Sequence, residues 1–201
     1  FGFAIPYNLY KGSLELNAGK GNRDSQKNIL RFIEYLKKKA KDLPDLDWLK
    51  INKDKKNNLF FDSNIPQGYG LGSSGALVAA FYSRYVKDKI SSQEKLTKNK
   101  LQKLKNIFSE MESYFHGESS GIDPLNCYLG LPILIKPQNE IQIIKMPEEK
   151  VLGYGGIFIL DSGNSSDTSS MVSLFFNKMK DENFSYMVKN QFIIYSKNCI
   201  N

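Results

Sequence analysis

Pro66-Gln67-Gly68-Tyr69-Gly70-Leu71-Gly72-Ser73-Ser74-Gly75 runs straight into Ala76-Leu77-Val78-Ala79-Ala80-Phe81. Four glycines and two serines separate a strand-like run, residues 58–65, from an apolar run with helical character. Glycine lets a backbone turn tightly and approach a ligand closely. A helix that begins at the serines aims its first-turn N–H groups, and the positive end of its dipole, at whatever lies in front of it. An anion suits that place, most often a phosphate. The stretch therefore reads as a nucleotide-phosphate loop. The ordinary alternative is a glycine-rich turn ahead of a core helix.

Three loop patterns bear on this reading. A Walker A loop requires Gly-Lys-Ser/Thr, and the absence of lysine between Lys56 and Lys87 excludes it. The dinucleotide fingerprint G-x-G-x-x-G is met by Gly70, Gly72 and Gly75. Yet Asp62-Ser63-Asn64 and Pro66 interrupt the apolar strand that should precede it. The third pattern is P-x-x-x-G-L-G-S-S-[AG], the phosphate loop of the GHMP small-molecule kinases. Pro66 to Gly75 resembles it at every fixed position.

A second cluster, Glu112-Ser113-Tyr114-Phe115-His116-Gly117-Glu118-Ser119-Ser120-Gly121-Ile122-Asp123, resembles the E-x-x-x-H-G-x-x-S-G-I-D segment of the family's mevalonate kinase branch. Phosphoryl transfer asks a protein for backbone donors around the phosphates, oxygen ligands for magnesium and a carboxylate facing the attacking hydroxyl. The resemblance implies ATP across Gly70, Leu71, Gly72, Ser73 and Ser74. It implies Mg²⁺ on Ser74 and Glu112, whose hard oxygens suit this ion. Asp123 would be the catalytic residue that orients or deprotonates the substrate hydroxyl, with His116, Ser120 and Gly121 beside the substrate. Asp161-Ser162-Gly163, then Thr168 and Met171-Val172, resembles the family's D-T-G…T…V stretch and adds Thr168 to the substrate side.

Read without the family, Asp123 is a cap before Pro124 and Thr168 the N-cap of the next helix. His116, the one histidine in the chain, is either a general base or a turn residue packed under the loop. A Ser-His-Asp hydrolase made of Ser119, His116 and Asp123 lacks the G-x-S-x-G elbow. One histidine and two separated cysteines, Cys127 and Cys199, exclude a clustered zinc site.

Composition bounds the rest. At 201 residues and 41% apolar side chains the chain can bury one sizeable core. No apolar stretch is long enough to span a bilayer, and two cysteines form no disulfide framework, so a cytoplasmic location is expected. The net charge of +7 comes almost entirely from lysine, with Arg23, Arg31 and Arg84 the arginines. Nucleic-acid readers lean on arginine forks and clustered aromatic platforms, so a solvated lysine-rich surface is expected and no nucleic-acid partner.

Periodicity places helices at residues 25–41, with Ile29, Phe32, Ile33, Leu36 and Ala40 on one stripe, at 74–86, and at 96–115. Further helices are expected near 169–179 and 184–197. Strands are expected at 3–10, 12–16, 58–65, 131–135, 141–144 and 156–160, with a hairpin turn at 137–140. This order predicts an α+β fold. The resemblance refines it to the GHMP-kinase fold, with an N-terminal ribosomal protein S5 domain 2-like half over residues 1–150 and the start of the C-terminal half over 151–201.

The expected activity is ATP-dependent phosphorylation of a small alcohol, mevalonate to 5-phosphomevalonate in isoprenoid biosynthesis. The alternatives are another GHMP kinase, acting on a sugar or phosphomevalonate, and a non-catalytic nucleotide-binding module. The family's active-site lysine segment and its later G-A-G-x-G-G segment are not found in the 201 residues. The expectation is a central part of a longer kinase, inactive alone. Gly75 replaces a usual alanine, and Glu118-Ser119 replace a neutral residue and proline. The oligomeric state, a homodimer included, is left open by these residues.

Overall fold

Residues Ile29, Phe32, Ile33 and Leu36 recur at helical spacing, and all four are withdrawn from solvent. At about 2 kcal/mol for each fully buried large apolar side chain, they anchor the first helix firmly. The computed structural model describes residues 2–4, 12–15, 23–65, 69–136, 140–144 and 168–200. The chain divides into two compact units. The main one comprises Gly2–Ile65 and Gly72–Met146, and the second comprises Pro147–Asn201 with Phe1 and Pro66–Leu71.

The main unit runs β1 (Gly2–Ala4), β2 (Gly12–Glu15), α1 (Arg23–Lys38), α2 (Trp48–Lys56), β3 (Phe60–Ser63), α3 (Ser73–Tyr85), α4 (Lys98–His116), α5 (Ile122–Leu129), β4 (Ile133–Ile135) and β5 (Ile141–Ile143). One antiparallel sheet has the order β1-β4-β5, with Gly2 opposite Ile135 and Ile133 opposite Ile143. A second pairs β2 with β3, Gly12 opposite Ser63. Helices with small antiparallel sheets make this an α+β unit, as expected. The stripe of α4, Leu101, Leu104, Ile107, Phe108 and Met111, is buried against the same core. Edge-on aromatic pairs lock the layers: Phe32 on Phe81 at 5.3 Å, and Tyr82 on Phe108 at 4.9 Å and on Tyr128 at 5.0 Å. Desolvation raises the Tyr82 phenol to about 12.

One expectation is corrected, and two helices are found that periodicity did not place. Ala40 lies past the end of α1 and is exposed. The lysine run 50–56 is a helix, α2, which Asp47 caps by accepting the Lys50 N–H at 2.9 Å. Its Ile51 is buried, and its Asp54 is buried too, accepting from Arg84 Nε and the Tyr85 hydroxyl, each at 2.9 Å. Asp123, read as a cap, instead lies within the first turn of α5, where Gly121 holds the cap position and Pro124 is tolerated because no helical N–H is needed there.

The second unit contains α6 (Thr168–Lys178) and α7 (Glu182–Met187), which continues through a π turn, Val188–Phe192, into α8 (Ile193–Ile200). Asp181 caps α7 by accepting the Phe184 N–H at 2.8 Å. The expected strand 156–160, most of the strand 3–10, and three of the four residues of the hairpin turn 137–140 lie outside the described residues.

Candidate active site

The start of α3 differs from those of α2 and α4. Thr97 and Asp47 cap α4 and α2 with side-chain oxygens, whereas α3 begins at Gly72 in the left-handed region (φ 72) with no side-chain cap. Gly70 just before it is also left-handed (φ 68). The first helical hydrogen bond comes from the Ala76 N–H to the Gly72 carbonyl at 2.9 Å. The amides of residues 73–75 therefore precede the helical ladder, at the positive end of the dipole. A tetrahedral oxyanion suits that geometry.

Backbone approach explains two further glycines. A Cβ on Gly75 would lie 2.8 Å from the Pro124 nitrogen and 2.9 Å from the Asp123 carbonyl carbon, so α3 and α5 touch backbone to backbone. A Cβ on Gly121 would lie 2.2 Å from the Lys105 carbonyl oxygen and 2.6 Å from the Ser109 nitrogen, which presses the start of α5 onto α4. Gly121 is also left-handed (φ 72).

These contacts gather the oxygen donors. Ser74 Oγ donates to Glu112 Oε1 at 3.1 Å, and Ser119 Oγ donates to Glu112 Oε2. Glu112 is only 3% exposed, so its carboxylate depends on these partners far more than on bulk water. Oxygens 3.1 Å apart match neighbouring ligands of an octahedron with Mg–O bonds near 2.0–2.1 Å, whose edge is about 2.9 Å. Among the described residues no group of three or more His, Cys, Asp and Glu could hold a metal. A magnesium ion on Ser74 and Glu112 would complete its shell with water and phosphate oxygens, its usual habit.

Asp123 is exposed on α5 and lies across from the loop: a Cβ on Gly72 would stand 3.9 Å from the Asp123 Cβ and 4.0 Å from Cys127 Sγ. Cys127, one helical turn further on, reaches solvent, yet its crowded wall desolvates the thiol. That desolvation, followed by the charges of Asp123 and Glu112, pushes it up to about 11.

The main unit thus brings together Gly72, Ser73, Ser74, Glu112, Ser120, Gly121 and Asp123. Ser120 Oγ accepts the Ile122 N–H at 3.3 Å and so shapes the turn. His116 is the last residue of α4, and its side chain lies outside the described residues. Gly70 and Leu71 belong to the second unit, as does Thr168, the first residue of α6. Sequence reading named Ser119 and Cys127 in other connections and assigned neither to this site. The four-residue step from Asp123 to Cys127 would have exposed the latter had α5 been recognised as a helix.

The family model of the GHMP kinases N terminal domain matches residues 27–130. That span exceeds half of the chain and contains most of α1 and all of α2 to α5, with the whole Ser74–Glu112–Asp123 constellation. The chain belongs to the GHMP kinase family, whose members are kinases that use ATP, usually with Mg²⁺. No curated relative and no solved structure matches it. Among the described residues no helix is long and apolar enough to cross a membrane.

Proposed function

We propose that the chain carries the nucleotide and metal site of a small-alcohol kinase, with mevalonate as first-choice substrate and 5-phosphomevalonate as product. The Ser74–Glu112 contact carries this reading, because it joins a phosphate-type helix start to a buried carboxylate. In this reading the amides of residues 72–74, continuing the Gly70-Leu71 segment in sequence, cradle the phosphates. Ser74 and Glu112 hold Mg²⁺, which neutralises charge on the phosphate oxygens when bound. Asp123 accepts a hydrogen bond from the substrate hydroxyl, aligns it and takes its proton as the oxygen bonds to the γ-phosphorus of ATP and the bond to the β-phosphate oxygen breaks, releasing ADP. His116, Ser120, Gly121 and Thr168 are proposed to border the alcohol. Residues 1–150 are proposed as the S5 domain 2-like ATP-binding half, and 151–201 as the start of the C-terminal half. No nucleic acid or membrane enters this reading.

The mevalonate choice rests on the resemblance of residues 112–123; a sugar or phosphomevalonate kinase is the alternative. The test is ADP release by the full reading frame that contains this chain, with Mg-ATP and mevalonate, phosphomevalonate, galactose or homoserine. Turnover selective for mevalonate is expected, with loss in Asp123→Asn at unchanged ATP affinity. Selectivity for another of the four would replace the substrate. ATP binding without turnover of any would favour a non-catalytic nucleotide-binding module.

A further inference from the structure

We propose that Ser119 is a positioning residue: it ties up one oxygen of Glu112, leaves the other with Ser74 for a divalent cation, and so favours Mg²⁺ over Ca²⁺. The inference rests on the nucleotide and metal reading above.

Ser119 is held from several sides. Its Oγ accepts the Gly121 N–H at 3.0 Å, and its carbonyl accepts the Ser109 hydroxyl. Gly121 is in turn pressed against the backbone of Ser109, where even a methyl group would collide. A serine hydroxyl has one proton to donate, and here it goes to Glu112 Oε2. The two carboxylate oxygens therefore face different hydroxyls, Ser119 on one side and Ser74 on the other. Burial keeps water from replacing either easily.

Cation preference follows from ligand count. Ca²⁺ takes six to eight oxygens and readily uses both oxygens of a carboxylate, whereas Mg²⁺ takes six in a strict octahedron and accepts a carboxylate through one. Glu112 with Oε2 accepting from Ser119 presents Oε1, beside Ser74, as its better cation ligand and disfavours ligation through both oxygens. Such outer partners of metal ligands commonly change metal affinity by roughly 10- to 100-fold.

The experiment measures the affinity of the full reading frame that contains this chain for a non-hydrolysable ATP analogue by calorimetry, in EDTA, in saturating Mg²⁺ and in saturating Ca²⁺. The metal-dependent tightening isolates the protein's hold on the ion from its hold on the nucleotide. Ser119→Ala should bind the analogue in EDTA as the wild type does, lose roughly tenfold of the Mg²⁺ tightening and narrow the Mg²⁺ to Ca²⁺ gap. Ser119→Thr, which keeps the hydroxyl, should restore both. Ser119→Cys, a poor donor, should resemble the alanine variant and gives a second readout if that one folds badly. Unchanged tightening in Ser119→Ala would overturn the inference, as would equal weakening with and without metal, the signature of a merely structural serine. A full-length wild-type protein that binds no analogue under any condition would overturn the kinase reading itself, and this inference with it.

Discussion

Replacing Gly75 by alanine sets two effects of opposite sign against each other. Alanine in place of glycine within a helix contributes up to about 1 kcal/mol in favour of folding. At this position, however, the new methyl carbon would stand 2.8 Å from the Pro124 nitrogen, about 0.6 Å short of the 3.4 Å at which ordinary contact begins. The atoms in the way are backbone of α5, which cannot rotate aside. Overpacking of this kind costs about 1–3 kcal/mol, so the net expectation is destabilisation by about 1–2 kcal/mol. For a chain of this size each kcal/mol moves the melting midpoint by about 2–4 °C, giving a fall of roughly 2–8 °C. Differential scanning calorimetry of the wild type and Gly75→Ala, under matched conditions and scan rates, measures it. A midpoint that rises, as helix propensity alone requires, would refute the close crossing of α3 and α5. The family's loop usually carries alanine here, so the sign also reports whether this chain packs the pair more tightly than that pattern allows.

Three further expectations follow from single contacts. Gly121→Ala combines a left-handed φ with a 2.2 Å clash on the Lys105 carbonyl, so denaturant titration should show a loss larger than for Gly75→Ala, about 2–5 kcal/mol; a loss under 1 kcal/mol would refute that packing. Arg84→Ala strips the buried Asp54 of its guanidinium at 2.9 Å; since the arginine is itself partly exposed, about 2–4 kcal/mol is expected by the same titration, with a neutral result against the pairing. The Cys127 thiol, raised to about 11, should react with iodoacetamide at pH 8 roughly ten- to a hundredfold more slowly than free cysteine. The folded state keeps that proton longer than the unfolded state, so the stabilisation is fully present below about pH 9 and declines as pH climbs towards 11. Free-cysteine rates at pH 8 would contradict the crowding around the thiol.

The long helices were legible because their burial is periodic. In α1 and α4 the apolar side chains recur every three or four residues, with charged side chains interspersed, and those apolar residues form the core. Helix α2 was not, because among its nine residues only Ile51 and Asp54 are buried, and four lysines surround them. Its helicity rests on the Asp47 cap and on contacts with α3, which a local pattern does not reveal. Helix α5 was hidden for another reason. Ile122, Leu125, Asn126 and Leu129 do have helical spacing, but the run is only eight residues long and holds a proline. Ser74, Glu112 and Asp123 stood out as chemistry at a motif's spacing. The part played by Ser119 depends on which oxygen of a buried carboxylate its hydroxyl meets, and no spacing rule carries that information.

The site's geometry is set by main chain more than by side chains. Gly75 lets α5 lie against α3, and Gly121 lets the start of α5 lie against α4. The three helices bearing Ser74, Glu112 and Asp123 are therefore registered by contacts between backbones, which deform far less than long side chains do. A phosphoryl-transfer site needs that stiffness, since a misplacement of about 1 Å can cost a hundredfold in rate. It also explains why the catalytic candidate Asp123 sits in the first turn of a helix and not on a loop. From there its position follows α5 as a body, and α5 can move relative to Ser74 only by breaking its contact with Gly75. Substitutions at the two glycines should thus disturb metal-dependent nucleotide binding through position alone, with every oxygen ligand still present.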